Sequence, residues 1–271
     1  MQHGFHFIAG LPRSGSTLLA ALLRQNPALH AGITSPVASL VGSMLREVSQ
    51  GNETSVMIDD AQRRALLRGI FTSYYHAVQP GRTVFDTSRA WCIRLPMIAE
   101  LFPDARVICC VRHVPWVIDS IERLLRRNRW ELSKIVDFDP GGTVYSRADW
   151  LTSRNGMVGF AYNAIKQAMH SEEADRLLLL TYETLARDPA HAMRAVYDFT
   201  GLPAFRHDFA NVALDASAFD ARLGTPGLHA VRPSVEWTER ETILPPDLWR
   251  RYEGDSFWRD AAFNKRSVRI V

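Results

Sequence analysis

FIAGLPRSGSTLLAALL, from Phe7 to Leu23, has the order strand, glycine-rich turn, helix. Phe5 to Ala9 is an apolar run of strand character. Leucines recur at helical spacing from Thr17 to Gln25, and Asn26-Pro27 stops the helix. Such a turn aims several backbone N–H groups and the positive end of a helix dipole at one point. Gly10, Gly15 and Thr17 sit where G-x-x-x-x-G-K-[ST] requires them, but Ser16 occupies the lysine position. The positive charge lies inside the loop instead, at Arg13, and Ser14, Ser16 and Thr17 add hydroxyl donors. A nucleotide triphosphatase uses the lysine on its β- and γ-phosphates. Without it, the loop reads as a phosphate cradle serving another reaction, the alternative being an ordinary Gly/Ser turn.

Outward from this stretch, strand-like runs recur at Thr83–Asp86, Arg106–Val111 and Leu177–Thr181. Helical patterns fall at Asp60–Val78, Ile93–Leu101, Pro115–Arg127, Gly156–His170 and Pro189–Thr200. The last has Asp188 as N-cap and Gly201 as its stop. Alternating strands and helices predict an α/β fold, a P-loop-type parallel sheet covered by helices on both faces. Ligands of such sheets bind at the carboxyl ends of the strands. Two segments read as irregular, 136–154 and 216–246. Both suit lids or substrate walls, the earlier one being the preferred acceptor-facing lid.

The 271 residues fit one domain, 1–271, and 46% hydrophobic content supplies a core. A formal charge of +3 does not point to nucleic acid but suits an anionic small molecule. The basic group Arg123, Arg126, Arg127 and Arg129 reads as a solvated helix face. Cys109 and Cys110, adjacent in a strand, should face opposite sides. With Cys92 they favour neither a disulfide framework nor a zinc site. The N-terminal stretch lacks a basic leader and no run reaches membrane-spanning length, so a cytoplasmic protein is expected.

Arg106 to Glu122, RVICCVRHVPWVIDSIE, repeats the strand-to-helix design. Arg112 follows a buried strand, Pro115 suits the first helical turn, and Ser120 lies further along the helix. Two basic strand ends on one sheet suggest a ligand with two separated phosphates. The alternative makes Arg112 a structural ion-pair partner and Ser120 incidental.

GLPRSGSTLL (Gly10–Leu19) resembles the 5′-phosphosulfate loop of the sulfotransferases, and VRHVPWVIDSI (Val111–Ile121) resembles their 3′-phosphate motif. In that motif an arginine and a serine eight residues later hold the phosphate, a spacing met by Arg112 and Ser120. DTSRAW (Asp86–Trp91), LLTYETLARDP (Leu179–Pro189) and GLHAVRPSVEW (Gly227–Trp237) extend the resemblance over most of the chain. It is similar to bacterial sulfotransferases and, distantly, to the tyrosylprotein enzymes.

The resemblance implies transfer of a sulfuryl group from 3′-phosphoadenosine 5′-phosphosulfate (PAPS) to a hydroxyl or amine, leaving 3′,5′-adenosine bisphosphate (PAP). The acceptor is a small molecule or a peptide tyrosine, and the oligomeric state stays open. Arg13 and Ser16 are the catalytic candidates. The donor would be held by Arg13, Ser14, Gly15, Ser16, Thr17, Arg112 and Ser120, with no metal required. Tyr182 reads either as a nucleotide contact or as a core residue, and Arg232 as a closing group. Relatives often carry a lysine where Thr87 stands, a charge that Arg89 could supply. The base glutamate of the tyrosylprotein enzymes has no counterpart in Ala31–Ser35, which leaves Asp86, His30 and His113 as positional candidates, each also a plausible structural group. Trp91, Trp116, Trp130 and Trp150 suit either an acceptor pocket or packing. The competing functions are an ATP-dependent small-molecule kinase and a non-catalytic nucleotide-binding protein.

Overall fold

The computed structural model describes residues 3–49, 51, 53–128, 130, 134–136 and 142–271. In chain order the elements are β1 (Phe5–Gly10), α1 (Ser16–Leu23), β2 (Leu29–Ala31), α2 (Val37–Val48), α3 (Asp60–Tyr74), β3 (Thr83–Thr87) and α4 (Leu95–Leu101). These are followed by β4 (Val107–Val111), α5 (Val114–Arg127), α6 (Val144–Thr152), α7 (Met157–His170), β5 (Leu177–Thr181) and α8 (Tyr182–Arg187). The chain ends with α9 (Pro189–Thr200), α10 (Ser217–Arg222), α11 (Pro246–Glu253) and β6 (Arg269–Ile270).

The strands form a parallel sheet in the order β2-β3-β1-β4-β5-β6. Side chains alternate between its two faces, so β1 sends Phe5, Phe7 and Ala9 into one core layer and Ile8 into the other. Cys109 and Cys110 divide in the same way, as the sequence predicts. The larger layer packs residues of α2, α3, α4, α5 and α7 against the sheet. The smaller packs α1, α8 and α9. Both faces are therefore covered, which is why the strands carry nearly continuous apolar runs.

β2 and β6 escape sequence reading because strands of three and two residues are too short to show a period. α2 is likewise unforeseen: valines and Gly42 are weak helix formers, yet Val37, Ala38, Val41 and Val48 are buried. Part of the segment 136–154, expected to be irregular, is the helix α6. Thr143 caps it through Ser146, and Ala148 and Leu151 are buried. Residues 137–141 of that segment, and Arg129 of the basic group, lie outside the described residues. No helix among the described residues is long and apolar enough to cross a membrane.

Candidate functional site

A cavity of about 710 Å³ opens at the carboxyl ends of the strands. Its floor is the turn between β1 and α1. Gly10 has φ +120° and lies so close to β4 that a Cβ there would fall 1.9 Å from the Cys110 carbonyl oxygen. Only glycine fits. Gly15, at φ +98°, caps α1 without a side-chain hydrogen bond, so the first-turn N–H groups keep their capacity for an anion. Ser16 and Thr17 line the cavity beside it. Ser14 does not: its hydroxyl donates to the Leu11 and Cys110 carbonyls at 2.5 and 2.9 Å, leaving only its main chain for a ligand.

Arg13 stands in left-handed backbone, φ 59°, between these glycines. Its Nε donates to Ser120 Oγ at 3.1 Å and an Nη donates to the Leu228 carbonyl. Arg112 donates from an Nη to the Arg13 carbonyl at 3.1 Å and stacks its guanidinium 4.1 Å from the centre of the Tyr182 ring. The two expected phosphate motifs thus meet directly through Arg13 and Ser120. Burial lowers the pKa of both arginines, that of Arg112 to about 10, and guanidinium groups keep their charge in proteins. Tyr182 lines the cavity under Arg112, which supports its ligand-facing reading over a purely core one.

Arg89, Arg232 and Arg240 also line the cavity, making five arginines against one lining carboxylate, Glu236. The potential therefore favours anions. Arg232 donates to Thr238 Oγ1 at 2.6 Å. Among the described residues the Arg89 guanidinium has no hydrogen-bond or ion-pair partner, and burial lowers its pKa. Thr87 spends its hydroxyl on the Gly32 carbonyl at 2.7 Å.

The far wall comes from the late segment: Phe219, Leu223, Leu228, His229 and Val235 belong to it. No described residue of 136–154 lines the cavity, whereas several residues of 216–246 do. Two buried carboxylates tether this wall. Asp119, fully buried on α5, accepts from Arg123 at 2.9 Å, Arg240 at 2.6 Å, Thr242 Oγ1 at 3.2 Å and the Ile243 N–H at 2.8 Å. Asp220 on α10 accepts from the His229 main-chain N–H at 2.8 Å and faces its Nδ1 at 2.6 Å. Arg240 and the Asp220–His229 pair escaped the sequence reading.

The three positional base candidates do not line the cavity. Asp86 is fully buried, with Ser35 Oγ, Tyr75 OH and Trp91 Nε1 donating at 2.6, 2.5 and 2.7 Å. Burial raises its pKa against those bonds, and it serves as a core anchor. His30 packs edge-on to Tyr75, while His113 Nε2 lies 3.1 Å from the Glu253 carbonyl oxygen. None of the four tryptophans lines the cavity, and only Trp91 and Trp116 follow the packing alternative. Trp91 is stacked on Phe71, Trp116 packs against Trp249, and Trp130 and Trp150 are exposed.

A family model described as "Sulfotransferase family" matches residues 6–207. Protein-tyrosine sulfotransferase 1 of Danio rerio is 26% identical over 206 residues, 73% of this chain and 53% of that protein. Protein-tyrosine sulfotransferase 2 of Gallus gallus is 23% identical over 205 residues, 72% of this chain and 50% of that protein. The chain thus spans about half the length of these curated relatives. Among solved structures, the sulfotransferase from Alicyclobacillus acidocaldarius superposes with a TM-score of 0.56 at 16% identity, covering 99% of this chain and 96% of that one. The sulfotransferase domain from the curacin biosynthetic pathway gives 0.51 at 21% identity, covering 75% and 76%. These two share the fold.

Proposed function

Since the chain belongs to the sulfotransferase family, we propose that it moves a sulfuryl group from PAPS to a hydroxyl or amine. The observation that carries this reading is the joining of Arg13, Arg112 and Ser120 at one arginine-lined cavity beside the open end of α1. Those residues fit a donor that is anionic at both ends. Arg13, the N–H groups of the first turn and the Ser16 and Thr17 hydroxyls would hold the 5′-phosphosulfate. Arg112 and Ser120 would hold the 3′-phosphate and so discriminate against ATP, and Tyr182 and Arg232 would border the nucleotide.

Bound there, the donor supplies an activated sulfur. The chain's part is to position it and to neutralise charge that gathers on oxygen as transfer proceeds. The apolar wall of Ile33, Ile135, Met157, Phe160, Phe219 and Leu223 suits an acceptor with an apolar body, a small molecule or a tyrosine side chain. Calorimetric titration with PAP and ATP tests the reading. PAP should bind at least about tenfold more tightly, the minimum expected for one charge-assisted hydrogen bond to the 3′-phosphate. Tighter ATP binding would favour the kinase and remove the proposal.

A further inference from the structure

We propose that His229 is the general base of the transfer and that Asp220 is its positioning residue, an inference that rests on the sulfotransferase reading. Asp220 is almost completely buried, and both its oxygens are committed to one residue. Oδ2 accepts the main-chain N–H of His229 at 2.8 Å and Oδ1 faces Nδ1 at 2.6 Å. An ionised carboxylate only accepts hydrogen bonds, so in the neutral ring the proton sits on Nδ1 and Nε2 keeps its lone pair. Among the described residues nothing bonds Nε2, and His229 lines the cavity. The Phe219 ring, 5.5 Å away edge-on, limits the imidazole from the side.

The place is right for the reaction. Leu228, the preceding residue, gives its carbonyl to Arg13, the cation assigned to the phosphosulfate. His229 is therefore held within one residue of the reacting end. The acceptor oxygen forms its bond to sulfur while the bond from sulfur to the bridging 5′-phosphate oxygen breaks. That bonding pair departs on PAP, and the acceptor proton passes to Nε2. The resulting imidazolium stays paired with Asp220, as in other base–carboxylate couples.

The test uses the full chain loaded with PAP. A long-range proton–nitrogen spectrum should show His229 protonated on Nδ1 and bare at Nε2. In Asp220→Asn the tautomer should reverse. The His229 N–H keeps the amide oxygen, which turns the amide NH₂ toward Nδ1. Sulfuryl transfer from labelled PAPS to phenol should fall at least about 100-fold in His229→Ala. The loss on 4-nitrophenol, an acceptor already largely ionised near neutrality, should be at least about tenfold smaller. PAP affinity should remain within about twofold. A wild-type ring protonated on Nε2, or equal losses on both acceptors, would overturn the proposal. Failure of the wild-type chain to bind PAP would instead remove the donor reading beneath it.

Discussion

The loop from Gly10 to Thr17 and the wall formed by residues 216–246 line the same cavity but are built by opposite means. The loop is a backbone device. Its shape follows from Gly10 and Gly15, from the β1–β4 approach and from the start of α1. The wall has little regular structure beyond α10 and is fixed by two buried carboxylates, Asp119 and Asp220. The first kind of site survives changes in surrounding side chains. The second depends on a few polar contacts, those of Asp119 reaching 121–124 residues along the chain and that of Asp220 reaching nine.

The largest effect should come from the loop. Arg13→Ala should lower transfer from labelled PAPS by about 10²–10³-fold or more, since it removes a cation aimed at developing charge. Unchanged turnover would break the assignment of the reacting end to the loop. On the wall side, Asp119→Ala should reduce unfolding free energy by about 3–5 kcal/mol, because Arg240 and Arg123 lose a buried partner. Denaturant unfolding measures it, and limited proteolysis should cut first within 223–245. If stability falls but the wall stays protected, the tether is not what holds it.

A third prediction concerns β1 beneath the loop. His6 is buried and accepts the Arg106 N–H, and burial lowers its pKa to about 4. The unfolded chain, with a histidine pKa of about 6.5, takes up the proton first as pH falls. His6 therefore favours folding fully above about pH 6.5, and about 3 kcal/mol of that is lost as pH falls towards 4. His6→Asn should flatten that part of the stability profile in denaturant titrations. The smallest of these effects is on donor affinity. Arg112→Ala should weaken PAP binding by about 1.5–3 kcal/mol with a lesser effect on turnover, a split that calorimetry and kinetics resolve together.

The same contrast explains what could be read from the sequence. Gly10, Arg13, Gly15 and Thr17 declare the loop at fixed spacing, and Arg112 with Ser120 declare its companion. Nothing local links Asp119 to Arg240, 121 residues away, or marks Asp220 as buried. His229 lay within a stretch that was read as family-like, but its role needs the carboxylate that the fold brings to it. α6 is a different case. Val144, Ala148 and Leu151 were visible at helical spacing, but the surrounding Ser, Asp and Gly residues suggested a loop.

The left-handed backbone of Arg13 sets stability and activity against each other at one position. A residue with a Cβ is disfavoured at φ 59° by about 1–2 kcal/mol, a cost glycine avoids. Arg13→Gly should therefore be more thermostable than Arg13→Ala, although glycine ordinarily ranks below alanine. Both variants should be equally inactive. Selection for stability alone would then drive this codon toward glycine, whereas selection for the proposed transfer would retain the arginine.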